Sequence, residues 1–270
     1  MKQLNKENYH SDTSHISKSG MDVIEQSALH YYTRYITEGN EQSAQKRHFA
    51  IGTAAHTFVL EPDLIDTDLA IIPEYAPKRP TVSQLNASKP SAIAQKSIEF
   101  WEWFENENKH RTHISAQDLE DVKRMADAVH RSPMCARILS NGVAERIHTW
   151  TDPKSGAPVK CRADWDNDKM GIIADLKTTD DASPKMFAQS CRKWNYDKQA
   201  AVYSDGMERD NFVFMAVEKK PPYAVGVYFA GSDMIESGRA KRDKNLNTYI
   251  EALSTGIWKG YSEDVVPVEW

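Results

Sequence analysis

Cysteine is scarce in this sequence: Cys135, Cys161 and Cys191 lie far apart in 270 residues and form no Cys-X-X-Cys pair. That spacing argues against a zinc site or an iron–sulfur cluster and leaves reduced thiols as the expected state. No apolar run approaches the length of a bilayer span, and the polar start Met1-Lys2-Gln3-Leu4-Asn5-Lys6 lacks the apolar segment of a secretory signal. A cytoplasmic location with no membrane partner is therefore expected. There is no Gly-X4-Gly-Lys-Ser/Thr loop, which argues against an attached ATPase engine. Nor is there an internal repeat, a low-complexity tract or an excess of positive charge. A formal net charge of −5 gives no general basic footprint. A basic groove is compatible with this balance but not required by it, and Lys78-Arg79, Arg192-Lys193 and Arg239-Ala240-Lys241-Arg242 are candidates for it.

What is present is a folding composition. Hydrophobic residues make up 40% of the chain, with seven Trp, eleven Tyr and eight Phe, enough to bury a substantial core. After a polar start, short helical patterns begin near Met21 and Ser27, with Ser17, Ser19 and Ser27 as candidate N-caps. Apolar positions at helical spacing predict a helix over 43–60 that contains His56. Residues 62–95, with Pro73, Pro77, Pro80 and Pro90, read as a long irregular excursion. A helix carrying Trp101 and Trp103 follows, then one from Ser115 to about Leu139. Strands are expected near 144–151, 157–165, 170–177, 211–218 and 223–230, and helices at 183–191, 195–206 and 232–258. Helices before, within and after a sheet predict an α/β layer fold.

The most informative stretch is Lys160-Cys161-Arg162-Ala163-Asp164 followed by Ile172-Ile173-Ala174-Asp175-Leu176-Lys177. It reads as a hairpin over the turn Asp166-Asn167-Asp168-Lys169. Alternation puts Ile173, Asp175 and Lys177 on one face and Ile172, Ala174 and Leu176 on the other, and pairing brings Asp164 near Asp175. Two carboxylates and an ammonium at a strand end suit a hard divalent cation, magnesium or manganese, and a metal-activated water. That outlines phosphodiester hydrolysis. The bland reading is a surface hairpin with solvated charges, but a strand that turns from an apolar run directly to Asp175 and Lys177 is an unusual surface.

Other candidates have two readings each. His56, with Gly52 and Leu60 one turn to either side, fits a satisfied core histidine as well as a ligand. Gln199 and Tyr203, four apart, share a helix face and could simply be an amide and a phenol at a buried edge. Glu145 is either a further carboxylate near the metal or a solvated strand residue. Ser17, Lys18 and Ser19 either hold a phosphate at a helix start or only cap it.

Taken in order, five segments resemble the PD-(D/E)XK nuclease superfamily, and within it the RecE (exonuclease VIII) group related to lambda exonuclease and the RecB nuclease domain. They are Ile16-Ser17-Lys18-Ser19-Gly20, Gly52-Thr53-Ala54-Ala55-His56 with Leu60-Glu61-Pro62, Arg162-Ala163-Asp164, Asp175-Leu176-Lys177-Thr178-Thr179, and Gln199-Ala200-Ala201-Val202-Tyr203. The proline of the superfamily name is missing, since Ala163 precedes Asp164. The resemblance implies a central mixed β-sheet flanked by helices, a restriction-endonuclease-like core with helical N-terminal additions. It implies one domain over 1–270, with a helical part to about 140 and a catalytic core over about 141–270. It further implies that Asp164, Asp175 and His56 hold two magnesium or manganese ions, that Lys177 orients or activates the water, and that Gln199 and Tyr203 flank the site. Ser19, Arg162 and Tyr203 are the implied DNA contacts. The implied activity is ATP-independent degradation of linear double-stranded DNA from its ends, 5′ to 3′, leaving 3′ tails for recombination. The implied partners are further copies of the chain in a ring, a trimer or tetramer, and a single-strand annealing protein. The alternatives are another superfamily member, a repair endonuclease or helicase-associated nuclease, or a non-catalytic DNA-binding module of the same fold.

Overall fold

The protein is described by a computed structural model covering residues 4–37 and 47–267. Positions 43–46 of the helix expected over 43–60 lie outside the described residues. Helix α1 (Lys18–Gln26) opens where the Ser17 hydroxyl accepts from the Gly20 amide, and α2 (Ala28–Tyr31) opens on Ser27 in the same way. Such caps satisfy amide groups that the first helical turn leaves free. Ser19, a cap candidate by sequence, instead lies inside α1. A π-helical turn (Tyr32–Thr37) follows, then α3 (Arg47–Leu60), which carries His56.

The 62–95 stretch is more ordered than its prolines imply. It holds α4 (Ile65–Asp68), β1 (Leu69–Ile72) and α5 (Val82–Leu85), the last closed by a reciprocal capping box between Thr81 and Gln84. After α6 (Ala92–Glu107), strand β2 (Thr112–Ser115) pairs in parallel with β1. Four-residue strands are too short to show a period in sequence. The helix expected from Ser115 to Leu139 is two: α7 (Ala116–Arg131) and α8 (Pro133–Ile138). Pro133 has no amide hydrogen to continue the ladder, and it starts the second helix instead.

The main sheet has the order β3 (Val143–Thr151), β4 (Pro158–Asn167), β5 (Ile172–Thr179), β6 (Asn211–Glu218), β7 (Val225–Phe229). All neighbours are antiparallel except β5 and β6, which are parallel and joined by α9 (Pro184–Lys193) and α10 (Tyr196–Met207). Helix α11 (Ser232–Thr255) closes the chain on Gly256, whose φ of +70° suits the left-handed stop, three residues earlier than expected. The β4–β5 turn begins later than the sequence suggested, since Asn167 still belongs to β4 and Gly171 closes the turn at φ +62°. An α/β fold built on a mixed sheet flanked by helices is thus what forms.

Alternation along β5 holds. Ala174 and Leu176 join Ala54, Val122, Met125 and Val129 of α3 and α7 in one core, while Ile173 joins Phe187, Ala200, Phe212 and Phe214 in the core under α9 and α10. A central strand buried on both faces contributes roughly 1.5–3 kcal/mol for each large side chain removed from water. β4 is less regular. Cys161 and Ala163 pack in the α9–α10 core, but Trp165 packs in the opposite one, so the strand twists at Asp164.

Candidate metal centre and cleft

The site lies where β4 and β5 part. Their ladder pairs Asn167 with Ile172, Asp166 with Ile173 and Trp165 with Ala174, and then stops. The next pair in that register would be Asp164 and Asp175. In place of a strand bond, the Leu176 amide donates to Asp164 Oδ2 (2.9 Å). The Leu176 carbonyl accepts from His56 Nε2 (2.8 Å). A carbonyl can only accept, so Nε2 carries a proton and Nδ1 is the ring nitrogen turned toward the acids. Nδ1 lies 3.4 Å from Asp164 Oδ2.

The third member of this group is Glu145. Ligand atoms of His56, Glu145 and Asp164 all lie within 4.8 Å of one another. Glu145 stands opposite Asp164 in the β3–β4 register but is skipped by the ladder, and its φ of +52° is left-handed. For a non-glycine residue inside a strand such a backbone costs on the order of 1–3 kcal/mol, a cost concentrated at functional sites. Its carboxylate meets Arg162 Nε at 2.7 Å. Nothing in residues 143–151 signals the reversed φ, so both readings of Glu145 are open from sequence.

Asp175 lies beside this trio rather than in it. Oδ1 accepts from Gln199 Nε2, and Oδ2 makes an ion contact of 2.6 Å with Lys177 Nζ that is not aligned as a hydrogen bond. The residue is 1% exposed. Burial, with Asp175 as a like-charged neighbour, raises the Asp164 carboxyl above its ordinary range, although His56 and Lys177 oppose this. Burial raises Glu145 as well. For Lys177, burial acts downward, but Asp175 and Asp164 reverse it and the ammonium is held above its usual range. Its Nζ also sits 4.7 Å from the centre of the Tyr196 ring, a contact between residues 19 apart that no local pattern marks.

An imidazole whose Nδ1 is turned inward and two carboxylates gathered beside it fit a hard divalent cation. His56, Glu145 and Asp164 are the residues placed to hold it, with Asp175 adjacent.

A cleft of ≈ 450 Å³ opens from this point, and Asp164, Lys177, Gln199, Ser19, Arg162 and Tyr203 all line it. The N-terminal segment lines it as well, through Tyr9, His10, Asp12, His15 and Lys18. That segment is pinned by the buried Lys160, whose ammonium donates to the carbonyls of Tyr9 (2.6 Å) and Asp12 (2.5 Å). The cations at the cleft are Lys18, Arg34, Lys160, Arg162 and Lys177. Of the basic clusters proposed from sequence, Arg239 and Arg242 are engaged with Asp205 and Asp243, and Arg79 with Glu105 and the Trp101 ring.

A family model described as a PDDEXK-like domain of unknown function (DUF3799) matches residues 17–266. A search of curated proteins finds no match. Among solved structures, a candidate exonuclease from Eubacterium rectale is similar over 95% of this chain and 88% of its own, with a TM-score of 0.63 and 15% identity, a likeness of fold. A phage-related exonuclease from Haemophilus somnus 129PT aligns over 75% of this chain and 95% of its own at 12% identity, with a TM-score of 0.36. The motif-level resemblance to the PD-(D/E)XK superfamily, between residues 16 and 203, and the family match over 17–266 agree. This protein belongs to the PDDEXK-like DUF3799 family.

Proposed function

We propose that the chain is a divalent-metal-dependent deoxyribonuclease that degrades linear duplex DNA from its ends, with magnesium or manganese as the metal. The observation that carries this reading is the junction of two sets of groups at one strand end. His56, Glu145 and Asp164 gather in a group that could hold a metal ion, and Asp175 bonds Lys177 and Gln199, which line a cleft rich in cations.

A cation bound there would polarise the scissile phosphate and lower the pKa of a coordinated water. The protein's own residues supply the rest. Asp175 anchors the Lys177 ammonium, and Gln199 fixes the other oxygen of Asp175, so the charge of Lys177 is held at one place. A charged Lys177 serves as an electrostatic and hydrogen-bonding group toward the attacking water or the phosphate, in a partly dry site where fixed charge acts strongly. Arg162, Lys18 and Ser19 line the cleft, where they would meet backbone phosphates. Preference for an end follows the motif resemblance. On the motif resemblance alone, the reading extends to 5′-to-3′ polarity, a trimeric or tetrameric ring, two metal ions, Tyr203 as a DNA contact and a single-strand annealing partner.

The test is digestion of linear and covalently closed circular duplex DNA with magnesium, with and without chelator. Loss of the linear substrate and survival of the circle are expected. Equal cutting of both would replace the exonuclease by an endonuclease, and no cutting of either by a DNA-binding module.

A further inference from the structure

We propose that Glu145 and Arg162 form an exchangeable pair: Glu145 leaves Arg162 for the divalent cation held with His56 and Asp164, and the released guanidinium takes a DNA phosphate. The proposal rests on the metal-dependent DNA reading above and adds an ordering to it, with the cation loading first and the phosphate grip following.

Four observations meet here. Glu145 Oε2 is 2.7 Å from Arg162 Nε, so without a cation the two charges neutralise each other. The same carboxylate belongs to the group whose ligand atoms lie within 4.8 Å of one another. Glu145 is the position the β3–β4 ladder skips between Val143 and Thr151, and with no strand partner it can be re-aimed without breaking a ladder bond. Arg162 has a second support, with its guanidinium 5.4 Å from the centre of the Tyr9 ring, and it lines the cleft. A guanidinium and a divalent cation repel each other at such separations, so a carboxylate between them is drawn toward the doubly charged partner. Released, Arg162 keeps its aromatic seat and offers its planar donors to the next anion, a phosphate.

The experiment measures binding with no hydrolysis: manganese by calorimetry, and a fluorescent blunt DNA duplex in the presence of EDTA. Wild type is compared with Glu145→Gln, Arg162→Gln, the double variant, and Asp164→Asn as a control for the loss of one negative charge. Glu145→Gln should weaken manganese binding about tenfold, the scale on which groups around a metal act. It should also tighten metal-free duplex binding several-fold, by more than Asp164→Asn does, and this gain should vanish in the double variant. Arg162→Gln should bind manganese at least as tightly as wild type. The pair is refuted if Glu145→Gln fails to tighten metal-free duplex binding, if the gain persists without Arg162, or if Arg162→Gln loses manganese affinity. Should Glu145→Gln not fold, the Arg162→Gln titration decides alone. Coupling without hydrolysis of any nucleic acid upholds the pair and removes the nuclease reading, whereas hydrolysis without coupling does the reverse.

Discussion

Asp164 and Asp175 occupy the first position of the β4–β5 register at which the strands no longer bond, one step beyond Trp165 and Ala174. The gap between the strands is filled by side chains. Asp164 takes the Leu176 amide, His56 takes the Leu176 carbonyl, and Gln199 and Lys177 take Asp175. Backbone groups that would otherwise be left unpaired thereby become the scaffold of the site.

Asp175→Asn and Lys177→Met should each give a folded protein whose magnesium-dependent digestion of linear duplex DNA falls by about 10²-fold or more, since each removes a fixed charge from the reacting region. Removing one partner of a buried pair costs about 3–5 kcal/mol. Circular dichroism melts therefore accompany the assay. Digestion at the wild-type rate by both variants would remove this strand end from the reaction.

Gln199→Ala should lower kcat about 10- to 100-fold with little change in KM, because the amide acts by holding Asp175 rather than by gripping substrate. A rise in KM at constant kcat would make Gln199 a substrate contact instead.

Magnesium should stabilise the protein as well as activate it. A ligand at 100 times its Kd, binding only the folded state, adds about 2.7 kcal/mol. A rise in Tm with magnesium that is reversed by EDTA and lost in Asp164→Asn is expected. A Tm unmoved by millimolar magnesium or manganese would contradict the metal centre.

Gly238 on α11 faces α10 so closely that a Cβ would lie 2.0 Å from the Asp197 carbonyl oxygen. Gly238→Ala must push the two helices apart, at a cost of typically 1–3 kcal/mol. Urea melts should show the loss, and activity should fall with it because α10 carries Gln199.

The N-terminal wall of the cleft should loosen in acid. Burial works against ionised Asp12, yet hydrogen bonds from Ser14 and Lys160 hold its carboxyl down at about 2, against an ordinary 3.8. A depressed carboxyl contributes stability that is fully present above its unfolded pKa and lost as pH falls through the folded one, here between about 4 and 2. Urea melts across that window should show a slope that Asp12→Asn lacks. Equal slopes in both proteins would place the acid sensitivity elsewhere.

The sequence by itself determined the α/β order, the hairpin and the face of β5 that carries Asp175, because a period of two along an apolar strand is a local property. It also marked His56, Asp164, Lys177 and Gln199, whose residue types and order carry the superfamily resemblance. Long-range packing is what gathers Glu145 with His56 and Asp164 while Asp175 turns to Gln199 and Lys177. It also joins β1 to β2, seats Lys177 on Tyr196 and brings residues of the 9–18 segment into the lining of the cleft. Those outcomes depend on where two strands diverge, on one reversed φ and on contacts between residues far apart in the chain. None of these leaves a periodic trace in the residues that make it.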